Sequence, residues 1–569
     1  MFITVKFFFR KYFIVLILIF FISLNLVGIF YNYPLAFTVG DEIPIMATVL
    51  KMIDYHTLRP DFPSNYHMAF PVYIYLPFYI ILLVFLRLSG LFTSIDAIKQ
   101  MGIMDYGELL PMARFISVIL GVVSIYLVYK ICRKIFSNNF IPLAASFLLS
   151  TSLMFIQMSH FGRVWLPQIF TILLAFYFII NLYLKESARL KHYLLSAFFI
   201  GISFGIHFVG LLIYFPFLIV HYLKNKNRGF KNVFVKNKNF WLANLIILIF
   251  SPILYYLNPY GFINYGSRVL NKFFSLGTIE NIASSGNFFA KISYYSKILW
   301  EYEPILIILF VPSLVLLWFK KRNLFYIFSS FIFGYYIIIS LIIGAEPRFI
   351  LPIIPFMAVI VAYGLYYLYK SSLINKKIRI LLLIVLFSSF LYLPLLWNLK
   401  FIQPSTRILA MNWVYRNLPV GAKIINLDAY LTLNKDRQTI ENLKKYNIRF
   451  FTKKDDYLLT ADDRDYPKPN YYILDPHYLD KVAEDFPKRN KFQYLIIHWW
   501  DEQQREEQLE KISRFDFNNL VLATKFYPVD GVINITDLAG NMRYPFSLLS
   551  KLNKTGPYIE IYQIESYGD

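Results

Sequence analysis

Residues 378–397 read IRILLLIVLFSSFLYLPLLW, and residues 406–424 read TRILAMNWVYRNLPVGAKI. The first stretch is almost entirely apolar, and its length of about 20 residues is enough for a helix to cross the hydrocarbon core of a bilayer. The second stretch mixes charged and apolar residues, as is typical of a helix that leads into a half-buried strand. The chain therefore changes character near residue 400, from membrane-spanning to water-exposed.

The composition places the whole chain among polytopic membrane proteins. Of its 569 residues 57% are hydrophobic and 16% are charged, with a mean hydropathy of +0.50, whereas soluble domains average about 25% charged residues. The net charge of the chain is +22. Membrane proteins carry an excess of Lys and Arg in their short cytoplasmic loops, which accounts for this charge, so we expect no nucleic-acid partner. The single cysteine, Cys132, excludes an internal disulfide framework and a Cys-based zinc site.

Eleven segments are predicted to span the membrane. Residues 192–223 are too long for one helix and divide near Gly205–Gly210 into two short spans. The first span lacks a small-residue cleavage site and is predicted to be retained. The other spans are predicted at 12–31, 112–131, 138–158, 165–184, 239–257, 303–319, 324–343, 348–369 and 378–397.

Basic clusters fix the predicted orientation of these spans. Lys and Arg are concentrated in short cytoplasmic loops of membrane proteins, which predicts a multi-pass protein of the plasma (inner) membrane with a cytoplasmic N-terminus and an extracytoplasmic C-terminus. The apolar segment 69–92 is predicted to lie along the outer surface as an interfacial helix, because a further span would turn several clusters outward. The clusters occupy every second connection, at residues 6–11, 130–134, 185–191, 224–238, 320–322 and 370–379.

Two domains follow from this arrangement. Residues 1–399 are predicted to form a helical transmembrane domain with outer loops at 32–111 and 258–302. Residues 400–569 are predicted to form an extracytoplasmic α/β domain, because strand-like runs alternate there with helical ones. The strand-like runs are AKIINL, NYYIL, FQYLIIHWW, LVLATKF and YIEIYQI.

Asp41 and Glu42 are the leading catalytic candidates. They follow Gly40 about ten residues after the first span and open the outer loop 32–111. Carboxylates at a helix start are also favoured by the helix dipole alone, which is the structural alternative. A carboxylate at the outer face of the membrane would serve as general base for a hydroxyl acceptor.

Five further residues are candidates for substrate binding. Arg348 precedes a Pro-x-x-Pro span, where an arginine either anchors the helix at the interface or contacts a lipid phosphate in a bidentate manner. His207 lies at the hinge of the paired short spans, either as a packed residue or as a contact to phosphate or sugar. His67, His160 and Arg163 are further substrate-binding candidates on the predicted outer side.

These features resemble those of the GT-C membrane glycosyltransferases, and most closely the bacterial branch of the protein O-mannosyltransferase and aminoarabinose (lipid A) transferase superfamily. The resemblance lies in the acidic pair of the first outer loop, the His- and Pro-containing interfacial segment, the paired short spans and the Arg before a Pro-rich span. It covers about residues 1–400 and continues into 406–424, which is similar to the start of the outer domain in bacterial members.

The resemblance implies an inverting transfer of a sugar from a polyprenyl-phosphate carrier to an acceptor at the outer face. Asp41 matches the family's first-loop Asp, the expected base, and Glu42 matches its partner. Arg348 matches the basic residue that neutralises the carrier phosphate, and His207 stands where many relatives have Lys. The resemblance assigns no cofactor and leaves open a divalent metal on Asp41 and Glu42. The acceptor, a protein, a lipid or a polysaccharide, is also left open.

One position departs from the family pattern. Many relatives have a second Asp in the outer turn before the fourth span, and here that position is Trp165 in GRVWLPQIF. A two-carboxylate metal site is therefore in doubt. Either His160, Arg163 or Gln168 compensates, or the protein is a divergent or inactive member.

Two other classes of function remain as alternatives. A transporter or flippase of a lipid-linked saccharide normally carries ionisable residues within its spans, and the predicted spans are nearly free of them at their centres. A non-catalytic envelope-assembly protein would not need Asp41 or Arg348. ATP-driven transport has no support, because the sequence has no phosphate-binding Gly-rich loop.

Overall fold

The computed structural model describes residues 2–35, 41–62, 65–92, 94–185, 189–229, 231–264, 266–267, 288–342, 346–372, 374–462, 466–515, 517–533 and 544–567. Much of the predicted outer loop 258–302 therefore lies outside the described residues.

The chain forms two compact units. One, called the helical unit, comprises Met1–Ile29, Pro44–Val84 and Met112–Trp397. The other, called the sheet unit, comprises Phe30–Ile43, Phe85–Pro111 and Asn398–Asp569. The C-terminal region thus shares its unit with two segments of the predicted loop 32–111.

Up to residue 401 the described chain is almost entirely helical, as the apolar composition requires, since a helix satisfies its backbone polar groups internally. Two 3₁₀ segments, Phe208–Ile213 and Pro347–Ile353, lie between the helices. The helices are α1 (Phe2–Leu26), α2 (Glu42–Asp54), α3 (Phe70–Leu88), α4 (Ile95–Met104), α5 (Leu110–Ile135), α6 (Phe140–Ser150), α7 (Leu153–Ser159), α8 (Trp165–Leu184), α9 (Leu190–Ile206), α10 (Tyr214–Asn225), α11 (Lys238–Leu257), α12 (Phe288–Tyr302), α13 (Pro304–Lys320), α14 (Arg322–Ile342), α15 (Ile354–Lys370) and α16 (Lys376–Phe401).

The number of candidate membrane spans agrees with a polytopic protein. Among the described residues, eight helices are long and apolar enough to cross a membrane, or up to ten if each of two bent pairs counts as one span. Two shorter apolar helices, Tyr12–Leu26 and Leu190–Ile206, match two more predicted spans. The eight long helices without α3, the two bent pairs and the two shorter helices each overlap one of the eleven predicted segments.

Helix α3 is the exception to that match. Phe70–Leu88 is one helix of 19 residues that is long and apolar enough to span. Its predicted position along the membrane surface stays a prediction, based on the charge distribution of the loops.

Most of helix α15 is enclosed in the helical unit. Its residues Ile354–Tyr363 are all buried, and α6 and α13 pack against it. Two helix pairs of this unit are each bent at a short break. Helices α6 and α7 meet at 60°, and helices α12 and α13 meet at 112°. A helix break leaves backbone N–H and C=O groups without intrahelical partners, so each break needs other polar groups nearby.

The sheet unit is built around a five-stranded mixed sheet with the order β2-β1-β3-β5-β4. Strand β1 pairs in parallel with β2 and β3, whereas β5 pairs antiparallel with β3 and β4. The strands are β1 (Lys423–Asn426), β2 (Tyr472–Leu474), β3 (Tyr494–Trp499), β4 (Phe517–Phe526) and β5 (Tyr558–Tyr567).

Helices cover the strands, and every predicted strand segment overlaps an observed strand. The predicted fold class, a polytopic helical membrane protein with a C-terminal α/β region, is therefore confirmed. The helices of this region are α17 (Thr406–Asn417), α18 (Arg437–Tyr446), α19 (Lys453–Thr460), α20 (Phe486–Asn490), α21 (Glu502–Ser513) and α22 (Phe546–Leu549).

Candidate functional site

His207 lies at the break between α9 and the 3₁₀ segment Phe208–Ile213, within the predicted hinge Gly205–Gly210. It has extended backbone angles, and its ring nitrogen Nδ1 accepts a hydrogen bond from the amide of Val209 at 3.4 Å. A neutral imidazole that accepts at Nδ1 carries its proton on Nε2, so Nε2 of His207 is a donor. Gly210 keeps the turn tight, because a Cβ there would lie 2.2 Å from the carbonyl oxygen of Ser203.

Aromatic rings surround His207, and one of them, Phe208, stacks on it with centroids 4.7 Å apart. The ring centroid of Trp165 lies 5.3 Å from that of His207 and 5.2 Å from that of Phe349, and the centroids of His207 and Phe349 are 5.9 Å apart. Trp165 is the first residue of α8 and is buried. The predicted replacement position is thus filled by an indole that packs on His207.

Arg348 and His67 interact electrostatically with His207. We call these five residues, His67, Trp165, His207, Arg348 and Phe349, the His207 cluster. The structure therefore brings together both residues predicted to bind the donor phosphate and one of the weaker candidates.

Glu346 is a partner of Arg348 that sequence reasoning missed. A carboxylate oxygen of Glu346 lies 2.6 Å from a guanidinium nitrogen of Arg348, and their side chains are 38% and 16% exposed. The guanidinium also lies over the ring of Phe349, 5.9 Å from its centroid. The spacing of the acid and the arginine in GAEPRF was visible, but whether the two would pair depends on the backbone between them.

His67 is held in place through its backbone. The side-chain amide of Asn258 donates hydrogen bonds to the carbonyl oxygens of Asn65 at 3.2 Å and of His67 at 2.9 Å. Asn258 also ends α11, so the C-terminus of that helix positions the segment that carries His67.

The turn with His160 and Arg163 is buried. His160 ends α7, and its Nδ1 lies 2.9 Å from the carbonyl oxygen of Ile156. The carbonyl oxygen of Arg163 accepts a hydrogen bond from the hydroxyl of Tyr75 at 3.1 Å. Both side chains are at most 2% exposed. These contacts favour the packing alternative, and a substrate-binding role for either residue stays a prediction.

Asp41 and Glu42 belong to the sheet unit. Glu42 is the first residue of α2 and is fully buried, whereas Asp41, in the turn before it, is half-buried. A carboxylate in the first turn of a helix is favoured by the helix dipole. The two carboxylates therefore differ: Glu42 is enclosed, and Asp41 is the more accessible of the pair.

The chain just before this pair is anchored in the sheet unit. The hydroxyl of Tyr31 donates a hydrogen bond to Oγ1 of Thr555 at 2.7 Å, and its ring stacks on Phe401 with centroids 4.1 Å apart. Leu35 is 2% exposed and packs in the hydrophobic core of the sheet with Ile424 and Ile559. The C-terminal region thus holds the segment that leads to Asp41, a long-range contact that local sequence patterns do not reveal.

Glu303 is a buried carboxylate that sequence reasoning also missed. It lies at the break between α12 and α13, and it accepts hydrogen bonds from the hydroxyl of Ser152 at 2.5 Å and the amide of Met154 at 3.1 Å. Ser152 lies at the break between α6 and α7. Glu303 therefore joins the two broken helix pairs of the helical unit and supplies the polar partner that the α6–α7 break needs.

Within the described parts of the chain, no three His, Cys, Asp or Glu side chains come together in a group that could hold a metal ion. Asp41 and Glu42 remain the candidate ligands on sequence grounds alone.

Residues 105–256 match the family model described as dolichyl-phosphate-mannose-protein mannosyltransferase. Two solved structures are similar over most of their length. The structure of ArnT from Cupriavidus metallidurans bound to undecaprenyl phosphate has 11% sequence identity and a TM-score of 0.47, covering 89% of this chain and 96% of that one. The Archaeoglobus fulgidus oligosaccharyltransferase tethered with an acceptor peptide has 12% identity and a TM-score of 0.48, covering 90% and 73%.

No curated protein matches the chain significantly. With identities near one in ten and TM-scores below 0.5, the two structures transfer no residue roles. The family model includes Trp165 and His207 in its matched range but neither Asp41 nor Arg348. Over residues 105–256 the family match confirms the predicted resemblance to the GT-C membrane glycosyltransferases.

Proposed function

We propose that this protein transfers a sugar from a polyprenyl-phosphate-linked donor to a hydroxyl acceptor at the outer face of the cell (inner) membrane, with inversion at the anomeric carbon. The observation that carries the proposal is the His207 cluster, where the imidazole of His207 packs against Trp165 and Phe349 and the guanidinium of Arg348 lies over the ring of Phe349. Guanidinium and N–H donors bind phosphate through charge-assisted hydrogen bonds, and aromatic rings supply the apolar wall of a ligand site.

Donor binding at this cluster requires a change of partner at Arg348. Its guanidinium is paired with the half-exposed carboxylate of Glu346 at 2.6 Å, so an incoming phosphate competes with that carboxylate. The carboxylate of Glu346 is half-exposed, and ion pairs exposed to solvent contribute only about 0–1 kcal/mol. The phosphodiester of the donor, whose single negative charge is shared by two oxygens, therefore displaces Glu346 at small cost. Glu346 would thus keep Arg348 oriented between substrates.

Asp41 is the proposed general base. Its carboxylate takes the proton of the acceptor hydroxyl while the hydroxyl oxygen forms a bond to the anomeric carbon. The bond between that carbon and the phosphate oxygen breaks, and the polyprenyl phosphate leaves with the electron pair. Arg348 compensates the charge that develops on the leaving phosphate, which is where fixed electrostatics lower a barrier most. Glu42, enclosed at the start of α2, orients its neighbour.

The proposed topology follows from the basic clusters. With an N-terminus in the cytoplasm, residues 400–569 lie on the extracytoplasmic side, and the segment that holds Asp41 lies with them. The candidate acceptors are therefore extracytoplasmic hydroxyl groups of proteins, lipids or polysaccharides, and a divalent metal on Asp41 and Glu42 stays open.

Mass spectrometry of envelope glycans and glycoproteins tests the proposal in cells. Cells without the gene should lack at least one glycan modification, and complementation with the wild-type gene should restore it. Asp41→Asn should fail to restore it, while Asp61→Asn, which changes an exposed acid in the same predicted loop, should succeed. Unchanged envelope glycans in the deletion strain would contradict the proposal.

One observation favours a second candidate, the transport of a lipid-linked saccharide. Transporters use broken helices near ionisable residues, and Glu303 joins two helix breaks here. If transport is the function, Glu303→Gln should abolish it and Asp41→Asn should not. Transfer predicts the stronger loss for Asp41→Asn, so the two variants separate the candidates.

A further inference from the structure

A cavity within the sheet unit lies apart from every residue assigned above. It has a volume of about 140 Å³, roughly ten times the space that one water needs. Its apolar floor includes Met104 of α4 and the buried Leu458 of α19, which pack together in one cluster. The hydroxyl of Tyr457 accepts a hydrogen bond from the side-chain amide of Gln100 and ties α4 to α19. The two helices that border the cavity are therefore joined to each other.

Charged side chains of both signs line the walls. Asp105 and Lys454 act on each other electrostatically, and Lys435 lies 3.5 Å from Asp455. All four line the cavity. Some of this hydrogen-bonding capacity is already used, because Asp105 accepts from the amide of Gly107 at 2.8 Å, and Asp455 caps α19 through Thr452.

Burial leaves the first pair poorly solvated. Desolvation raises the pKa of the Asp105 carboxyl and lowers the pKa of the Lys454 ammonium, and in each case it outweighs the attraction of the partner. Groups of this kind gain from a ligand that offers them hydrogen bonds in place of lost water.

The balance of charges selects the class of ligand. An anion would be attracted by the two lysines but repelled by the two aspartates. A cation would be attracted by the aspartates but repelled by the lysines. A neutral, hydroxyl-rich ring satisfies both kinds of group, since each hydroxyl donates to a carboxylate and accepts from an ammonium. The C–H face of such a ring would lie on the apolar floor formed by Met104 and Leu458.

We propose that the cavity between α4 and α19 binds a neutral saccharide unit of the acceptor or of the glycosylated product. This inference deepens the proposed function, on which it rests for the origin of the saccharide. It implies that the acceptor already carries a sugar.

Direct binding tests the site in the full-length protein in lipid nanodiscs. The probes are the methyl glycosides of mannose, galactose and N-acetylglucosamine, observed by saturation-transfer NMR, with inorganic phosphate as the anionic probe. At least one glycoside should bind saturably, and Lys454→Met and Asp105→Asn should each weaken it at least about tenfold, the loss of one charge-assisted hydrogen bond. The matched control Lys453→Met changes the adjacent exposed lysine of α19, which does not line the cavity, and should leave binding unchanged.

A second measurement needs no variant and so does not depend on variant folding. A diazirine-bearing methyl glycoside that binds the wild-type protein should cross-link to peptides containing residues 432–435 or 452–458. Cross-links confined to other peptides, absence of binding by all three glycosides, or phosphate binding that depends on Lys454 would each overturn the proposal.

Glycoside binding and sugar transfer are measured in separate assays, so failure of the saccharide site can be told apart from failure of the proposed function. Asp41→Asn should abolish transfer and keep glycoside binding. If Asp41→Asn keeps transfer while the glycosides bind as expected, the catalytic assignment fails and the saccharide site stands. If transfer depends on Asp41 but the cavity binds no glycoside, the saccharide site fails and the proposed function stands.

Discussion

In the helical unit, the buried carboxylate of Glu303 is held by a hydroxyl and a backbone amide, whereas in the sheet unit the buried carboxylate of Asp428 is held by a full ion pair. Arg407 donates to Asp428 from Nε at 2.7 Å and from a terminal nitrogen at 3.2 Å. His498 lies 3.9 Å from the same carboxylate.

This difference between the two buried carboxylates indicates which charged residues are informative about function. Ionisable groups among membrane helices are costly and mark functional or mechanically necessary positions, so Arg348, His207 and Glu303 are each informative. In the sheet unit, charges are numerous and pair with one another, so a charge there is informative only where its pairing is incomplete, as at the cavity with Asp105 and Lys454. The predictions below test this contrast.

Replacement of Asp41 by Asn should have the largest effect. The amide keeps the shape of the side chain but cannot take the acceptor proton, and general-base catalysis contributes about 10²–10⁴-fold. The rate of sugar transfer by the purified protein should fall by that factor, with Asp61→Asn as the control at wild-type rate. Surface substitutions without a functional role are expected to scatter within roughly threefold. A transfer rate within that range of the wild type would show that Asp41 is not the base.

Arg407→Met should destabilise the sheet unit without touching the His207 cluster. Removing one partner of a buried ion pair costs about 3–5 kcal/mol because the other charge is left uncompensated. Hydrogen exchange of β1 and β3 peptides should become roughly 100- to 4,000-fold faster. Arg416→Met, which changes an exposed arginine of the same helix α17, should exchange like the wild type; equal exchange in both variants would show that the pair is not structural.

Acid should weaken the sheet unit through the same pair. Burial alone would raise the pKa of the Asp428 carboxyl, but Arg407 and His498 outweigh it and hold that pKa below the ordinary 3.8. A carboxyl with a lowered pKa in the folded state adds stability above the unfolded pKa, and this stability is lost as the pH falls through the folded value. The melting temperature of the sheet unit should drop below about pH 4, and the drop should be smaller in Arg407→Met. An equal drop in both proteins would place the acid sensitivity elsewhere.

Glu346→Gln should have the smallest effect, and it should be a gain. The change removes the carboxylate that competes with phosphate for Arg348. An ion pair exposed to solvent is worth about 0–1 kcal/mol, which corresponds to up to roughly fivefold in affinity. Native mass spectrometry in nanodiscs should detect tighter binding of undecaprenyl phosphate, with Asp61→Asn unchanged. Weaker binding would show that Glu346 contacts the ligand rather than competing with it.

Local patterns were sufficient for most of the fold. The break at His207 was predicted from two glycines, and each strand of the sheet from its β-branched and aromatic run, because these signals act over a few residues. The anchoring of Leu35 in a core that includes Ile559 was not predictable, since it joins segments more than 500 residues apart. For the same reason, the sequence indicated that Trp165 replaces an acid but not that its indole packs against His207.

The central claim is a division of labour, in which the His207 cluster binds the carrier phosphate and Asp41 acts only on the acceptor. Binding of undecaprenyl phosphate to Asp41→Asn and Arg348→Ala, measured side by side by native mass spectrometry of the full chain in nanodiscs, tests it most directly. We predict wild-type affinity for Asp41→Asn and at least about tenfold weaker binding for Arg348→Ala, the loss of a charge-assisted contact. Arg322→Ala, which removes an arginine packed over Trp318, is the control and should bind as the wild type does. Wild-type affinity in Arg348→Ala, or lost affinity in Asp41→Asn, would contradict the account.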